Sequence, residues 1–185
     1  MKTNIWVVVG YSGSGKTTLT QKIGLKLGLP IVTYNQYLTE LSHQEGYSHK
    51  NDYFRNTPVD EFKQALDRYA IDKINLFAET NNTFLVEGIC SSDGFIKLRS
   101  NPSMCVRLFY IEVPEEERML RVAGRDGAVF FPKERHKKML GLDELVKMAD
   151  YVIDGMKEHI TSVDEKIASM VDDMIKIIQD SKSTA

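Results

Sequence analysis

Cysteine and long apolar runs are scarce in this sequence. Its 185 residues include only two cysteines, Cys90 and Cys105, which exclude a disulfide framework and do not give the spacing of a zinc site. No run approaches the roughly 20 apolar residues that a membrane-spanning helix needs, and the N-terminus leads into an apolar segment without a signal peptide. We therefore expect a cytoplasmic protein with reduced thiols and no contact with a membrane.

A large excess of charge of either sign is also missing. The formal net charge is -2 and the isoelectric point is about 6.1, so no overall basic field attracts nucleic acid. A local basic patch is still compatible with this balance. The length suits one domain, and no shift in composition marks a second one. We predict a single domain over residues 1–180 and a frayed tail at 181–185.

Short apolar segments alternate with helical patterns along the chain. Strands are predicted at 5–9, 31–34, 83–89, 106–113 and 151–153, and helices at 17–27, 57–79, from 114 and from 162. Thr57 is predicted to cap the helix at 57–79, with Pro58 at its first position. Residues 35–56 lack clear periodicity and are predicted to form a loop with a short helix. The alternation predicts an α/β fold with a parallel sheet, helices on both faces and ligands at the carboxyl ends of the strands.

A glycine-rich segment, Gly10-Tyr11-Ser12-Gly13-Ser14-Gly15-Lys16-Thr17, follows the first strand and opens a helix. Glycines let successive backbone N–H groups turn toward phosphate oxygens, and the helix start adds the positive end of its dipole. Lys16 can reach the β and γ phosphates, and Thr17 can bind Mg²⁺. The alternative is an ordinary Gly/Ser turn with a surface lysine. The predicted nucleotide-binding residues are Gly10, Tyr11, Ser12, Gly13, Ser14, Gly15, Lys16, Thr17 and Thr18.

Glu87 stands directly after an apolar strand, in Thr83-Phe84-Leu85-Val86-Glu87-Gly88. In a parallel sheet this position lies near the phosphate loop, so Glu87 can hold Mg²⁺, directly or through water, or accept a proton from an attacking hydroxyl. The alternative is a strand-end acid that faces solvent.

Three arginines, Arg118, Arg121 and Arg125, recur at spacings of three and four residues. This spacing places three guanidinium groups on one helix face, where they can stabilise the charge of a transferring phosphoryl group. The alternative is a solvated helix in which the arginines pair with the glutamates at 115–117. We predict a short arginine-bearing lid over about 114–140, with Arg121 and Arg125 as catalytic residues beside Lys16 and Glu87.

Taken together, these elements resemble the nucleoside and nucleotide kinase branch of P-loop proteins over most of the chain. Val86-Glu87-Gly88-Ile89 resembles the strand end of uridine kinases and phosphoribulokinases, and the arginine spacing resembles the lid of uridine and nucleoside monophosphate kinases. Ala149-Asp150-Tyr151-Val152-Ile153 is similar to a strand of dephospho-coenzyme A kinases. The resemblance implies a three-layer P-loop NTPase fold with five parallel strands, ATP as donor, Mg²⁺, and an acceptor under the helices after the second and third strands.

The acceptor side departs from those relatives. Hydroxyl-phosphorylating relatives carry an acid just after the second strand, where this chain has Asn35, so the base role falls to Glu87 or to Asp52. The acceptor signature Asp-Gly-x-Pro-Arg of adenylate kinases is absent. The predicted substrate-binding residues are Asn35, Tyr37 and Arg55.

Three aromatic residues have two interpretations, and the histidines have none that concerns a ligand. Tyr47, Tyr53 and Phe54 can stack on a base or simply pack under a loop. The four histidines lack ligand spacing and are expected at the surface.

Three functions stay open at this point. The first is an ATP-dependent kinase of a nucleoside- or nucleotide-type acceptor. The second is a kinase of a hydroxymethylated pyrimidine, such as 5-hydroxymethyluracil, in phage DNA, with nucleic acid as substrate. A basic groove would serve it, lined by Lys97, Arg99, Lys133, Arg135, Lys137 and Lys138. The third is an NTP-binding regulatory switch, although the Asn-Lys-x-Asp motif of GTPases is missing.

Overall fold

The computed structural model describes residues 2–89, 91–126, 130–156 and 162–183, and within them the chain forms five strands and nine helices. In chain order they are β1 (Thr3–Val9), α1 (Lys16–Leu27), β2 (Ile31–Thr33), α2 (Tyr34–Gln44), α3 (Lys50–Asn56), α4 (Val59–Ala78), β3 (Thr83–Glu87), α5 (Ser92–Arg99), β4 (Met104–Glu112), α6 (Glu115–Asp126), α7 (Phe130–Met139), α8 (Leu142–Val146), β5 (Tyr151–Asp154) and α9 (Val163–Ser183).

The five strands form one parallel sheet in the order β2-β3-β1-β4-β5. The first strand lies at its centre, where Val7 pairs in register with Val86 on one side and Leu108 on the other. The predicted five-stranded parallel α/β fold is therefore confirmed. Because all strands run the same way, the segments that follow β1, β2 and β3 meet at one edge of the sheet.

Side chains of β1 alternate between two apolar layers, which is why both faces of the sheet are covered. Ile5, Val7 and Val9 pack toward α4 and α5, whereas Trp6 and Val8 pack toward α1 and α9. Full burial of each such side chain stabilises the fold by about 1.5–3 kcal/mol. The continuous apolar run of β1 is thus the signature of a strand buried on both faces.

The region at 35–56 is more ordered than its sequence pattern predicts, since it forms α2 and α3 rather than a loop with one short helix. Thr33 caps α2 by accepting a hydrogen bond from the Gln36 amide at 3.2 Å. Tyr34, Tyr37 and Leu41 form the buried face of that helix. The aromatic residues that obscured the periodicity are themselves the apolar side of α2.

One predicted helix cap is wrong, and one helix was missed. Helix α4 begins at Val59 with Pro58 as its N-cap and no side-chain cap, so the Thr57 hydroxyl does not cap it. Helix α5 was not predicted at all; Ser91 caps it by accepting a hydrogen bond from the Gly94 amide at 3.2 Å.

At the C-terminus, α9 runs to Ser183, into the segment predicted as a tail, and residues 184–185 lie outside the described chain. Across the described ranges, every helix is too short or too polar to cross a bilayer.

Candidate active site

The loop after β1 takes its shape from two glycines. Gly13 and Gly15 have φ angles of 80° and 86°, a region that a β-carbon strongly disfavours. A Cβ at position 13 would also lie 2.6 Å from the Arg118 carbonyl oxygen. Helix α1 then starts at Lys16 with Gly15 as its N-cap and no side-chain cap. Its first turn therefore presents backbone N–H groups at the sheet edge, as phosphate oxygens require.

Thr17 and Glu87 meet at this edge, next to Lys16, the first residue of α1. Glu87 ends β3 in register with Val8 of the central strand, and the Thr17 hydroxyl donates a hydrogen bond to its carboxylate. Mg²⁺ in nucleotide sites is held by one or two such protein oxygens, with phosphate oxygens and water completing its shell. The Thr17 hydroxyl and the Glu87 carboxylate are oxygen donors of this kind, so they fit Mg²⁺ carried by a nucleotide. The described residues contain no group of three or more His, Cys, Asp or Glu that could hold a metal ion.

Arg118 belongs to the first turn of α6, and its side chain packs against the glycine-rich loop. Only 5% of the residue is exposed, and its guanidinium donates to the Val113 carbonyl at 3.0 Å and the Ser12 carbonyl at 3.3 Å. It also lies 4.8 Å above the Tyr11 ring. Arg118 is therefore built into the loop's support, whereas its spacing placed it on an open lid face.

Contacts from α7 and α8 hold the first half of the loop, and sequence reasoning missed them. The Ser12 amide donates to Glu134 at 2.9 Å, and Lys137 donates to the Gly10 carbonyl at 2.9 Å. The Tyr11 hydroxyl donates to the Asp143 carboxylate. No spacing in the sequence marks these residues, because each contact spans more than 120 positions of the chain.

For the other two arginines of the predicted lid, the structure describes the side-chain contacts of Arg121 but only the backbone of Arg125. Arg121 donates to Glu117 at 3.0 Å, the intrahelical pairing that its spacing allowed, and to the Gly155 carbonyl at 3.3 Å. Arg125 lies in α6, but its side chain is outside the described residues. Their catalytic role stays a prediction.

On the acceptor side, Asn35 follows β2 and is exposed. Lys50, at the start of α3, contacts the Asn35 amide oxygen. Arg55 is also exposed, with Asp52 at 3.9 Å. Tyr37, by contrast, is buried edge-on against Tyr69, with ring centroids 6.2 Å apart. Asn35 and Arg55 are therefore exposed to a ligand, whereas the Tyr37 ring belongs to the core.

Burial and the neighbouring Glu40 and Tyr69 raise the pKa of Tyr37 to about 12. Its hydroxyl therefore stays protonated across the physiological range, because burial and nearby negative charge both disfavour a phenolate.

The aromatic side chains of α3 pack against Tyr47 and against Phe62 of α4. Tyr53 lies between Tyr47 and Phe62, with centroids 5.2 Å from each. Phe54 meets Phe62 edge-on at 4.9 Å. Packing is one of the two alternatives given above for Tyr47, Tyr53 and Phe54. Their rings contact other aromatic rings of the protein and are not arranged as a free surface on which a base could stack.

His136 of α7 completes that cluster, and the expectation that it lies at the surface is wrong. Its ring packs directly on Phe54, and its Nε2 is buried without a hydrogen-bond partner in the described part of the chain. Burial, with a smaller effect of Lys137, lowers the pKa of His136 from 6.5 to about 4. His136 is therefore neutral at pH 7 and acts as part of the aromatic packing.

The basic residues proposed to line a groove do not share one surface role. Arg99 pairs with Asp150 at 2.7 Å, and Lys137 is bonded to the loop carbonyl of Gly10. The side chain of Lys133 lies outside the described residues. Two of the six cations thus serve contacts within the protein.

With this geometry established, comparison with known proteins gives a family. Residues 9–129, more than half of the chain, match a protein-family model described as an AAA domain. The chain belongs to this AAA domain family. The matched segment begins at the last residue of β1 and includes the phosphate loop, Glu87 and the arginines of α6. No curated protein matches the sequence significantly.

Solved structures of similar fold extend over nearly the whole chain. A sugar kinase from Janibacter sp. HTCC2649 has a TM-score of 0.66 at 16% identity, covering 97% of this chain and 95% of that one. Shikimate kinase from Bacteroides thetaiotaomicron has a TM-score of 0.62 at 19% identity, with coverage of 96% and 98%. Shikimate kinase from Acinetobacter baumannii, in complex with shikimate, has a TM-score of 0.61 at 17% identity, with coverage of 98% and 96%.

At these identities the likeness concerns the fold, which is that of small P-loop kinases. The predicted membership of that superfamily is confirmed. The family and the fold together support an ATP-dependent phosphotransferase.

Proposed function

We propose that this protein transfers the γ-phosphoryl group of ATP to a small acceptor of nucleoside or nucleotide type. The observation that carries the proposal is the contact of Thr17 with Glu87 beside the glycine-shaped start of α1, which Lys16 opens. When bound, Mg²⁺ and ATP supply the transferable group and neutralise part of its charge.

Each of these three residues has a distinct task. The Lys16 ammonium attracts the terminal phosphates. The Thr17 hydroxyl and the Glu87 carboxylate would hold the metal ion, in exchange for the hydrogen bond that they make to each other. In this proposal Glu87 also orients the acceptor or takes its proton, and Arg121 and Arg125 close over the transferring group. Phosphoryl transfer depends mainly on positioning and electrostatic stabilisation, which this set of residues provides.

The acceptor would meet a polar surface at the end of β2. Asn35, held by Lys50, can orient a hydroxyl or a phosphate oxygen but cannot deprotonate it. Arg55, five residues after Lys50 in the chain, adds an exposed cation. A base is therefore supplied by Glu87 or Asp52 for a hydroxyl acceptor, and none is needed for an acceptor that is already a phosphate.

A transfer assay with γ-labelled ATP and Mg²⁺ tests this function. The acceptors are nucleosides, nucleoside monophosphates, dephospho-coenzyme A, shikimate, simple sugars and DNA that contains 5-hydroxymethyluracil. We expect label on a nucleoside or nucleotide, lost in Lys16→Ala and retained in Lys22→Ala, a matched change on the exposed side of the same helix.

Other outcomes separate the alternatives. Label on shikimate or a sugar alone would retain the kinase and reject the acceptor class. Label on DNA alone would support the modified-pyrimidine alternative. Nucleotide hydrolysis that needs a protein partner and labels no acceptor would support a regulatory switch.

A further inference from the structure

Glu134 is the point where α7 meets the phosphate loop. Its Oε1 accepts a hydrogen bond from the Ser12 amide at 2.9 Å, and its Oε2 accepts one from Arg118 Nη1 at 2.6 Å. Arg118 in turn donates to the Ser12 carbonyl at 3.3 Å. A single ion pair therefore holds both backbone groups of Ser12.

Contacts on either side of Ser12 extend this support. Lys137, one helical turn after Glu134, donates to the Gly10 carbonyl at 2.9 Å. The Tyr11 hydroxyl is bonded to Asp143. The first half of the loop is thus fixed by side chains from distant helices, whereas Gly13, Gly15 and the start of α1 fix the second half.

Glu134 braces the loop from behind and does not stand in the place of a phosphate. The side chains of Arg118 and Glu134 are only 6% and 7% exposed. The phosphate-facing side is open, since Thr17 is exposed and Lys16 is half-buried. A carboxylate in the cradle would share that exposure, and its ionic partner would be Lys16 rather than the buried Arg118.

We propose that Glu134 is a positioning residue for nucleotide binding. Together with Arg118 it fixes the Ser12 peptide, so that the amides after it already face the phosphates when the nucleotide arrives. Without the brace, the loop would have to become ordered during binding, and that entropy cost lowers affinity. The inference rests on the proposed function, because it assumes that the loop binds a nucleotide.

The test compares nucleotide affinity with the stability of the free protein. The main variant is Arg118→Met with Glu134→Leu, because an apolar pair can replace a buried ion pair without unfolding the protein. The second is Glu134→Gln, whose amide oxygen still accepts from Ser12. The matched control is Glu144→Gln, an exposed glutamate on α8.

Calorimetric titration with Mg-ADP and Mg-ATP, thermal unfolding and amide hydrogen exchange of the loop supply the readouts. We expect the double variant to bind at least about tenfold more weakly, with faster loop exchange and an unchanged melting temperature. Glu134→Gln should fall between it and the wild type, and Glu144→Gln should match the wild type.

The possible failures are distinguishable. If the wild type binds nucleotide and Lys16→Ala weakens that binding, wild-type affinity in the double variant overturns the inference alone. If the wild type binds no nucleotide, the proposed function fails and the inference fails with it. If Glu134→Gln does not fold, the double variant still decides.

Discussion

The phosphate loop and the acceptor-side helices lie at the same sheet edge, but their shapes come from different sources. Gly13 and Gly15 set the turns of the loop through their own backbone angles. Helices α2 to α4 are arranged by side chains that pack on one another, with Phe62 fully buried among them. The second half of the loop therefore depends on the backbone freedom of its glycines, whereas the acceptor side depends on the volume and shape of its core.

The largest effect expected on this comparison comes from Phe62→Ala. Removing a fully buried ring leaves a cavity and should lower the free energy of unfolding by about 3–5 kcal/mol. Urea unfolding followed by circular dichroism measures the change. Leu76→Ala, on the same helix but 61% exposed, should cost about 0.5 kcal/mol or less. Equal costs for the two variants would show that the aromatic packing does not hold the acceptor side.

Lys16→Ala should have the opposite profile. Loss of the ammonium removes charge stabilisation from the transferring group and should lower kcat by about 10²–10³-fold, while the melting temperature stays at the wild-type value. Steady-state kinetics and differential scanning calorimetry check the two halves of this prediction. A variant that unfolds would mean that Lys16 supports the fold, which contradicts its proposed role.

Arg55→Ala sharpens the division between donor and acceptor. An exposed cation that meets the acceptor contributes about 1.5 kcal/mol or more, so its loss should raise the KM for the acceptor about tenfold. The KM for ATP should not change. Arg68→Ala, exposed on α4, is the control. A rise in the KM for ATP instead would move Arg55 to the donor side.

The smallest predicted effect is on pH dependence. Because the pKa of His136 falls from 6.5 to about 4 on folding, the unfolded state binds more protons between those values, and stability rises with pH there. The contribution is complete above pH 6.5 and is lost as the pH falls toward 4. Because the His136 ring is only partly buried, solvent screening limits the lost free energy of unfolding to about 1 kcal/mol.

Unfolding at pH 7 and pH 5 measures this difference. His136→Leu should lose less stability between the two pH values than the wild type, and His43→Gln, at an exposed position of α2, should behave like the wild type. An unchanged pH dependence in His136→Leu would show that this ring is not the titrating group.

The contrast between the two regions also explains how far the sequence could be interpreted. Strand β1, the glycine loop and Glu87 are contiguous signals, since a buried parallel strand and a phosphate loop each impose their chemistry on neighbouring residues. Glu134 and Asp143 reach Ser12 and Tyr11 across 122 and 132 positions, so only the folded chain shows that they meet. Arg118 has the spacing of a lid arginine, and its burial follows from how α6 packs against Gly13, which spacing does not encode.

The outermost strands of the sheet have a separate consequence. Strand β2 has three residues and β5 has four, and Val152 of β5 is 57% exposed. An edge strand offers unpaired backbone groups that can recruit a strand of another molecule, and a short edge offers few of them. The brevity of β2 and β5 therefore protects the sheet from edge-to-edge aggregation, even though the apolar side chain of Val152 is exposed on the outer strand β5.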